Sequence, residues 1–196
     1  MNWHIVKQAE VTPSPWRNGG GITRELLTWP PLSGDDWSVR ISVATIDKDG
    51  PFSAFPGIQR WFAVLDGAGV QLEFGPASQT LVPGDAPLAF QGKDAPGCTL
   101  LSGSTRDLNL MSRDGKSTMQ LIAKNEAFTA SFGLSALYCV APGIWCDNTG
   151  RSKTLKAHTL LWDDASRPGM TWFFAAADES VPVPGYWLHY APKEQA

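Results

Sequence analysis

The chain has 196 residues, with 16 basic and 19 acidic side chains, a formal net charge of −3, 43% hydrophobic and 18% charged residues. That length allows one domain or two small intimate halves with a substantial core, and the composition is globular rather than disordered. The acidic balance argues against nucleic acid or an anionic membrane as the main partner, and no apolar run approaches the roughly 18 residues of a membrane span.

The N-terminal stretch is interrupted by His4, Lys7 and Glu10, so it lacks the apolar stretch of a signal peptide, and a cytoplasmic location is expected. Apolar residues at helical spacing are almost absent, so little helix is expected. Short β-like runs bounded by Gly, Pro, Asp or Asn recur instead, at 37–46, 60–65, 70–74, 98–101 and 108–111. They continue at 119–123, 136–140, 159–162 and 171–175. Asp66-Gly67-Ala68-Gly69 and Pro142-Gly143 supply the positive φ of tight hairpin turns. The sum is an all-β sandwich or barrel.

The pattern repeats. Segments 62–72, 80–90 and 98–101 resemble 138–146, 154–162 and 171–174 at an offset of about 75 residues. Two β-units follow, with a first lobe over 1–115 and a second over 116–196. The order strand, Gly-rich turn, strand, Pro-Gly-Asp turn, strand is what a cupin-type jelly roll needs.

Several chemistries lack their residues. Cupins that hold a metal use two His and a Glu on one strand and a further His on a later one. Segments 56–67 and 83–90 contain no His, and His4, His158 and His189 are isolated, so no metal site is expected. There is no G-x-S-x-G elbow. Cys98, Cys139 and Cys146 form an odd set without C-x-x-C spacing and read as buried, inert thiols of a reducing compartment. Gly19-Gly20-Gly21 lacks the Lys-Ser/Thr ending of a phosphate loop. No catalytic residue and no cofactor is assigned.

The polar residues that stand out lie before position 114. Residues 15–25 surround three glycines with Trp16, Arg17, Asn18, Thr23, Arg24 and Glu25, a dense set of donors and acceptors. The glycines let the backbone adopt positive φ or approach something closely. Arg40 and Ser42 share one strand face, opposite Val39, Ile41 and Val43. Asp107, Asn109, Met111 and Arg113 share another, opposite Leu108 and Leu110. Alternation does not say which face points inward. If the polar faces do, then Arg24, Arg40, Arg60 and Arg113 make a pocket for a small anion, arginine being a rigid bidentate donor to carboxylate or phosphate. Glu25 and Asp107 could instead pair internally with two of the arginines.

Residues 15–25 resemble the opening signature of the HutD/Ves family. The likeness continues in order through Trp37–Ala44, Gly50–Arg60, Leu81–Phe90 and Asp107–Arg113, the first of these with two residues rather than none between Trp37 and Arg40. The C-terminal 80 or so residues match only loosely. The resemblance implies a bicupin, two cupin-type jelly-roll β-barrels. It also implies a metal-free protein that binds a small ligand and tunes histidine catabolism in one branch, or that is linked to stress response in the other. Urocanate or a formylated glutamate derivative is then the natural ligand, and a planar imidazole-acrylate would stack on Trp16 or Trp61.

The expected polar wall is Asn18, Thr23, Arg24, Glu25, Arg40, Ser42, Arg60, Asn109 and Arg113, with Trp16 as a further ligand contact. The second lobe lacks a comparable polar set and is expected to be structural, with Trp145, Trp162, Trp172 and Trp187 filling its barrel. Besides a binding or regulatory module, two readings stay open. One is a metal-independent isomerase or hydrolase with Glu25 as general base; the other is an interaction protein without a pocket. A homodimer would need an exposed apolar strand edge, which the sequence does not locate.

Overall fold

The computed structural model describes residues 3–31, 36–113, 115–124 and 126–193. Among these the only helical elements are the single turns Gln8–Glu10 and Gly92–Asp94. The rest is antiparallel sheet, and the chain folds as a bicupin of two jelly-roll units, 11–114 and 115–196, the latter joined by residues 1–10. The early residues belong there because His4–Lys7 pairs with Thr159–Ser166. Each β-like run noted above falls on a strand. The strands Gly185–Pro192 and Leu88–Gln91 lie outside those runs. No helix is long and apolar enough to cross a membrane.

The first unit packs a six-stranded sheet against a four-stranded one. The large sheet runs in the order Ser14–Pro15, Gly21–Trp29, Val39–Ile46, Thr105–Arg113, Ile58–Asp66, Leu88–Gln91. The small sheet contains Gly50–Pro51, Gly97–Leu100, Val70–Phe74 and Ala77–Leu81. One end of the interior is apolar, built on Phe62, Val64, Leu72, Leu81 and Phe90. Burial of these side chains removes apolar surface from water, at roughly 25 cal/mol per Å².

Strand register decides which faces share this interior. Thr105–Arg113 lies between Val39–Ile46 and Ile58–Asp66, with Asn109 opposite both Ser42 and Phe62, and Met111 opposite both Arg40 and Arg60. Phe62 is core, so its cross-strand partners Asn109 and Ser42 point into the barrel as well. Residues two along the strands, Arg40, Met111 and Arg60, do the same. The polar faces therefore point inward.

The glycine triplet has a structural cause. Gly19 sits at φ +66°, and at Gly21 a Cβ would lie 2.2 Å from the Thr45 carbonyl oxygen. The hairpin that carries Trp16 closes on this contact, with the Trp16 amide donating to the Gly21 carbonyl at 2.9 Å.

The second unit pairs the sheet His4–Lys7, Thr159–Ser166, Gly133–Cys139, Gly185–Pro192, Gly115–Leu121 with a smaller one. Its core stacks Phe128 on Trp187 at 5.2 Å and sets Trp145 edge-on to Trp172 at 5.3 Å. Trp162 does not fill this barrel. It is register partner to His4 on the opposite sheet face and stacks on that imidazole at 4.2 Å. The unit is not purely apolar inside either. Asp163, Ser135, His189 and Thr118 form a polar row on the same face as Leu137 and Trp187.

Replacing Gly21 with Ala should destabilise the protein by about 2 kcal/mol, because the new methyl displaces a backbone oxygen in a packed sheet. Urea unfolding measures this, and an unchanged midpoint would contradict the close-approach reading.

Candidate functional site

Between the two sheets of the first unit lies a cavity of about 560 Å³. Its floor comes from the central strands, which contribute Arg40, Ser42, Arg60, Asp107, Asn109 and Met111. Its mouth comes from two loops. One brings Trp16, Arg17 and Asn18, with Thr23 on the strand that follows it, and the other brings Phe52 and Phe55.

Arg60 is the dominant group. It is 6% exposed, and its Nη2 donates to Asn109 Oδ1 at 2.8 Å. Its Nε has no partner. The guanidinium lies over the rings of Phe52 at 4.9 Å, Phe90 at 5.1 Å and Phe55 at 6.0 Å. Ring faces attract a cation, which offsets part of the desolvation cost. Burial still lowers the Arg60 pKa to about 10, with the Asp107 charge opposing that and Arg40 adding to it.

Asn109 continues the chain. An arginine can only donate, so the amide oxygen must face Arg60 and the NH2 must face the other way. Asn109 Nδ2 accordingly donates to Asp107 Oδ1. Asp107 is 1% exposed, and its second oxygen, Oδ2, has no partner. Burial raises the Asp107 pKa to about 7, against the pull of Arg60 and the Asn109 hydrogen bond. With Oδ1 accepting from Asn109, the proton of the neutral acid resides on Oδ2. No carboxylate lies within ion-pair distance of Arg60 among the described residues.

Of the expected wall, Trp16, Asn18, Thr23, Arg40, Ser42, Arg60 and Asn109 all line the cavity. Trp16 Nε1 donates to Thr23 Oγ1 at 2.7 Å, fixing the indole at the mouth. Asn18 Oδ1 accepts from the Gly20 amide at 3.0 Å and shapes the glycine turn. The expected inward Arg24 does not join them. It is register partner to Val43, so it takes the opposite sheet face from Thr23 and Glu25. Glu25 lies outside the lining, with Oε2 accepting from Arg40 Nε at 2.7 Å and its side chain about half exposed. Arg113 has the inward parity but lies opposite Ile58, beyond the cavity floor, with its guanidinium 5.7 Å from the Trp37 ring. Trp61 faces away because it follows Arg60 in the strand and pairs with Leu110.

Residues passed over by sequence reasoning are Asp107, Phe52, Phe55 and Met111 as wall components. Asp107 and Met111 carry the right parity for it. Phe52 and Phe55 lie in the loop after Gly50–Pro51, where no periodicity exists to read. Among the described residues no three of His, Cys, Asp and Glu come together as a metal site. Burial pushes the Cys98 thiol up to about 12 and Cys139 up to about 11, which keeps both as unreactive thiols at neutral pH.

The profile of the HutD family matches residues 8–179, most of the chain. The chain belongs to the HutD family. One relative, an uncharacterized 21.2 kDa protein in the hutC 3′ region of Pseudomonas putida, is 43% identical over 108 residues, 55% of this chain. The chain spans 56% of that relative's length. Protein Ves of Citrobacter koseri is 34% identical over 132 residues, 66% of this chain and 68% of Ves. HutD from Pseudomonas fluorescens SBW25 shares the fold, with a TM-score of 0.83 over 98% of this chain and 100% of that one at 24% identity. The HutD/Ves resemblance of residues 15–113 is thus matched by a family assignment that reaches into the second unit.

Asp107 has a consequence for stability. Its pKa is raised on folding, so the folded state holds a proton that the unfolded chain releases near pH 4. Stability from this group is complete below about pH 4 and is lost as pH rises through about 7. The urea midpoint of the wild type should fall between pH 5 and 8, and Asp107→Asn should flatten that fall. An identical slope in the variant would show that Asp107 titrates normally.

Proposed function

We propose that this protein is a cytoplasmic small-carboxylate-binding module that buffers or regulates histidine utilisation, with urocanate or a formylated glutamate derivative as ligand. The observation that carries the reading is the buried Arg60 guanidinium, which faces a cavity with only a neutral hydrogen-bond partner. A buried cation without a counter-ion is costly. A ligand carboxylate supplies that counter-ion through a charge-assisted hydrogen bond.

The rest of the wall fits the same ligand class. Arg40 is already neutralised by Glu25, so the floor holds about one uncompensated positive charge while Asp107 is protonated, which suits one carboxylate group of the ligand. Trp16, Phe52 and Phe55 give the mouth flat apolar surfaces for a planar or extended carbon chain. The link to histidine utilisation rests on the family and on the P. putida relative named for the hutC 3′ region.

A thermal-shift series tests this. At a hundredfold excess over Kd, a ligand that binds only the folded state adds about 2.7 kcal/mol, enough to raise Tm by several degrees in a protein of this size. Urocanate or N-formylglutamate should produce that shift in the wild type and in Arg24→Gln, whose side chain lies on the other sheet face. Arg60→Gln should lose it relative to its own unliganded Tm. No shift with either compound, or a shift that survives Arg60→Gln, would overturn the proposal.

A further inference from the structure

The second unit carries a chemically distinct arrangement, independent of the carboxylate-binding reading. Three adjacent strands place Asp163 opposite Ser135 and Ser135 opposite His189. Asp163 and Ser135 are 1% and 0% exposed, and Asp163 Oδ2 has no partner. His189 is half-buried, while Thr118, its register partner on the far side, is exposed. The row therefore runs from a buried carboxylate through a hydroxyl and an imidazole to solvent.

The hydroxyl of Ser131 closes over the outer end. Its Oγ lies 2.6 Å from His189 Nε2, and Ser135 Oγ lies 3.2 Å from Nδ1. The ring also hydrogen-bonds the Leu134 backbone, whose carbonyl can only accept. In the tautomer that carries its proton on Nδ1, Nε2 is the acceptor for the Ser131 hydroxyl. Burial holds His189 below the ordinary imidazole range, so the ring is a neutral base at neutral pH.

Two features hold this geometry. The Phe128 ring packs near the imidazole at 6.2 Å. At Gly133, φ is +127° and a Cβ would lie 2.0 Å from the Tyr190 carbonyl oxygen. Only glycine lets the segment that follows Ser131 lie so close to the strand bearing His189. Ser131 itself is exposed, so a reagent can reach it.

An exposed hydroxyl on a neutral imidazole, with that imidazole oriented from behind, is the arrangement that activates a serine. We propose that Ser131 is an imidazole-activated nucleophile and that the second unit carries a serine acylation site for small carboxylic esters or thioesters. Ser131 Oγ attacks the acyl carbon and its proton passes to His189 Nε2. The carbon–oxygen or carbon–sulfur bond to the leaving group breaks, and the leaving group takes that proton as it departs as an alcohol or thiol. Ser135 acts as a positioning residue.

A fluorophosphonate probe tests the nucleophile directly. Attack forms an oxygen–phosphorus bond and breaks the phosphorus–fluorine bond, releasing fluoride, with the proton passing through His189 to solvent. Intact mass spectrometry of the full chain should show one adduct, and peptide mapping should place it on Ser131. Ser131→Ala, an exposed loop change, should abolish it, and His189→Gln should slow it by ~100-fold, the low end of general-base contributions. Equal melting temperatures would show that the His189 variant remains folded. If that variant unfolds, Gly133→Ala, whose methyl meets the Tyr190 carbonyl oxygen and parts the Ser131 segment from the strand bearing His189, should slow labelling in its place. No adduct, an adduct that persists in Ser131→Ala, or labelling indifferent to both other variants would overturn the proposal.

Discussion

The first unit is organised around one costly group, the guanidinium of Arg60 buried without a carboxylate beside it. Three phenyl rings and one amide oxygen are what the protein sets around it. The acid whose charge acts on it, Asp107, is held behind Asn109, and burial raises its pKa to about 7, so that it is protonated below that pH. Had Asp107 contacted Arg60 directly, the two would have formed an internal ion pair and the cavity would have no charge to offer. The intervening amide keeps the cation available and makes its availability depend on the protonation of Asp107.

That spacing follows from sheet geometry. Asp107 and Asn109 are neighbours on one face of one strand, and Arg60 reaches Asn109 from the adjacent strand, where its register partner is Met111. A slip of one residue would turn the polar set to the other face and bring Leu108 and Leu110 inward. The hairpin closed at Gly21 holds the outer strands in step, and it brings Trp16 and Asn18 to the mouth. The scaffold and the site therefore depend on the same register.

Much of this was legible in the sequence because β-sheets write their faces at period two. The alternation around Arg40 and Asn109 put Arg40 with Ser42 and Asp107 with Asn109 and Met111, residues that line one cavity, and the hairpin turns and the duplication indicated two β-units. What the alternation could not contain was direction, which only the packing of Phe62 and its neighbours settles. Arg24 shows how this fails locally. Glu25 and Arg24 are adjacent, so they could not share a face, yet both look plausible when a loop is read as a cluster of polar letters. Arg113 shows a second failure, since parity places a residue on a face but not at a depth. Asp107 looked like a counter-ion for an arginine, because nothing in one dimension reveals that Asn109 stands between them. In the second unit, the His189 row stayed hidden because Ser135, Asp163 and His189 are more than 20 residues apart in the chain and meet only across three strands.

The account turns on Asp107 being a protonated neighbour of an uncompensated Arg60. Selective carbon-13 labelling of aspartate, with the Asp107 resonance assigned by Asp107→Asn, would follow that carboxyl by NMR through a pH titration with and without urocanate. The account predicts a midpoint near 7 in the free protein and a higher one with the ligand bound, because a second anion at Arg60 disfavours ionisation of the first. A midpoint near 4 that the ligand does not move would contradict it.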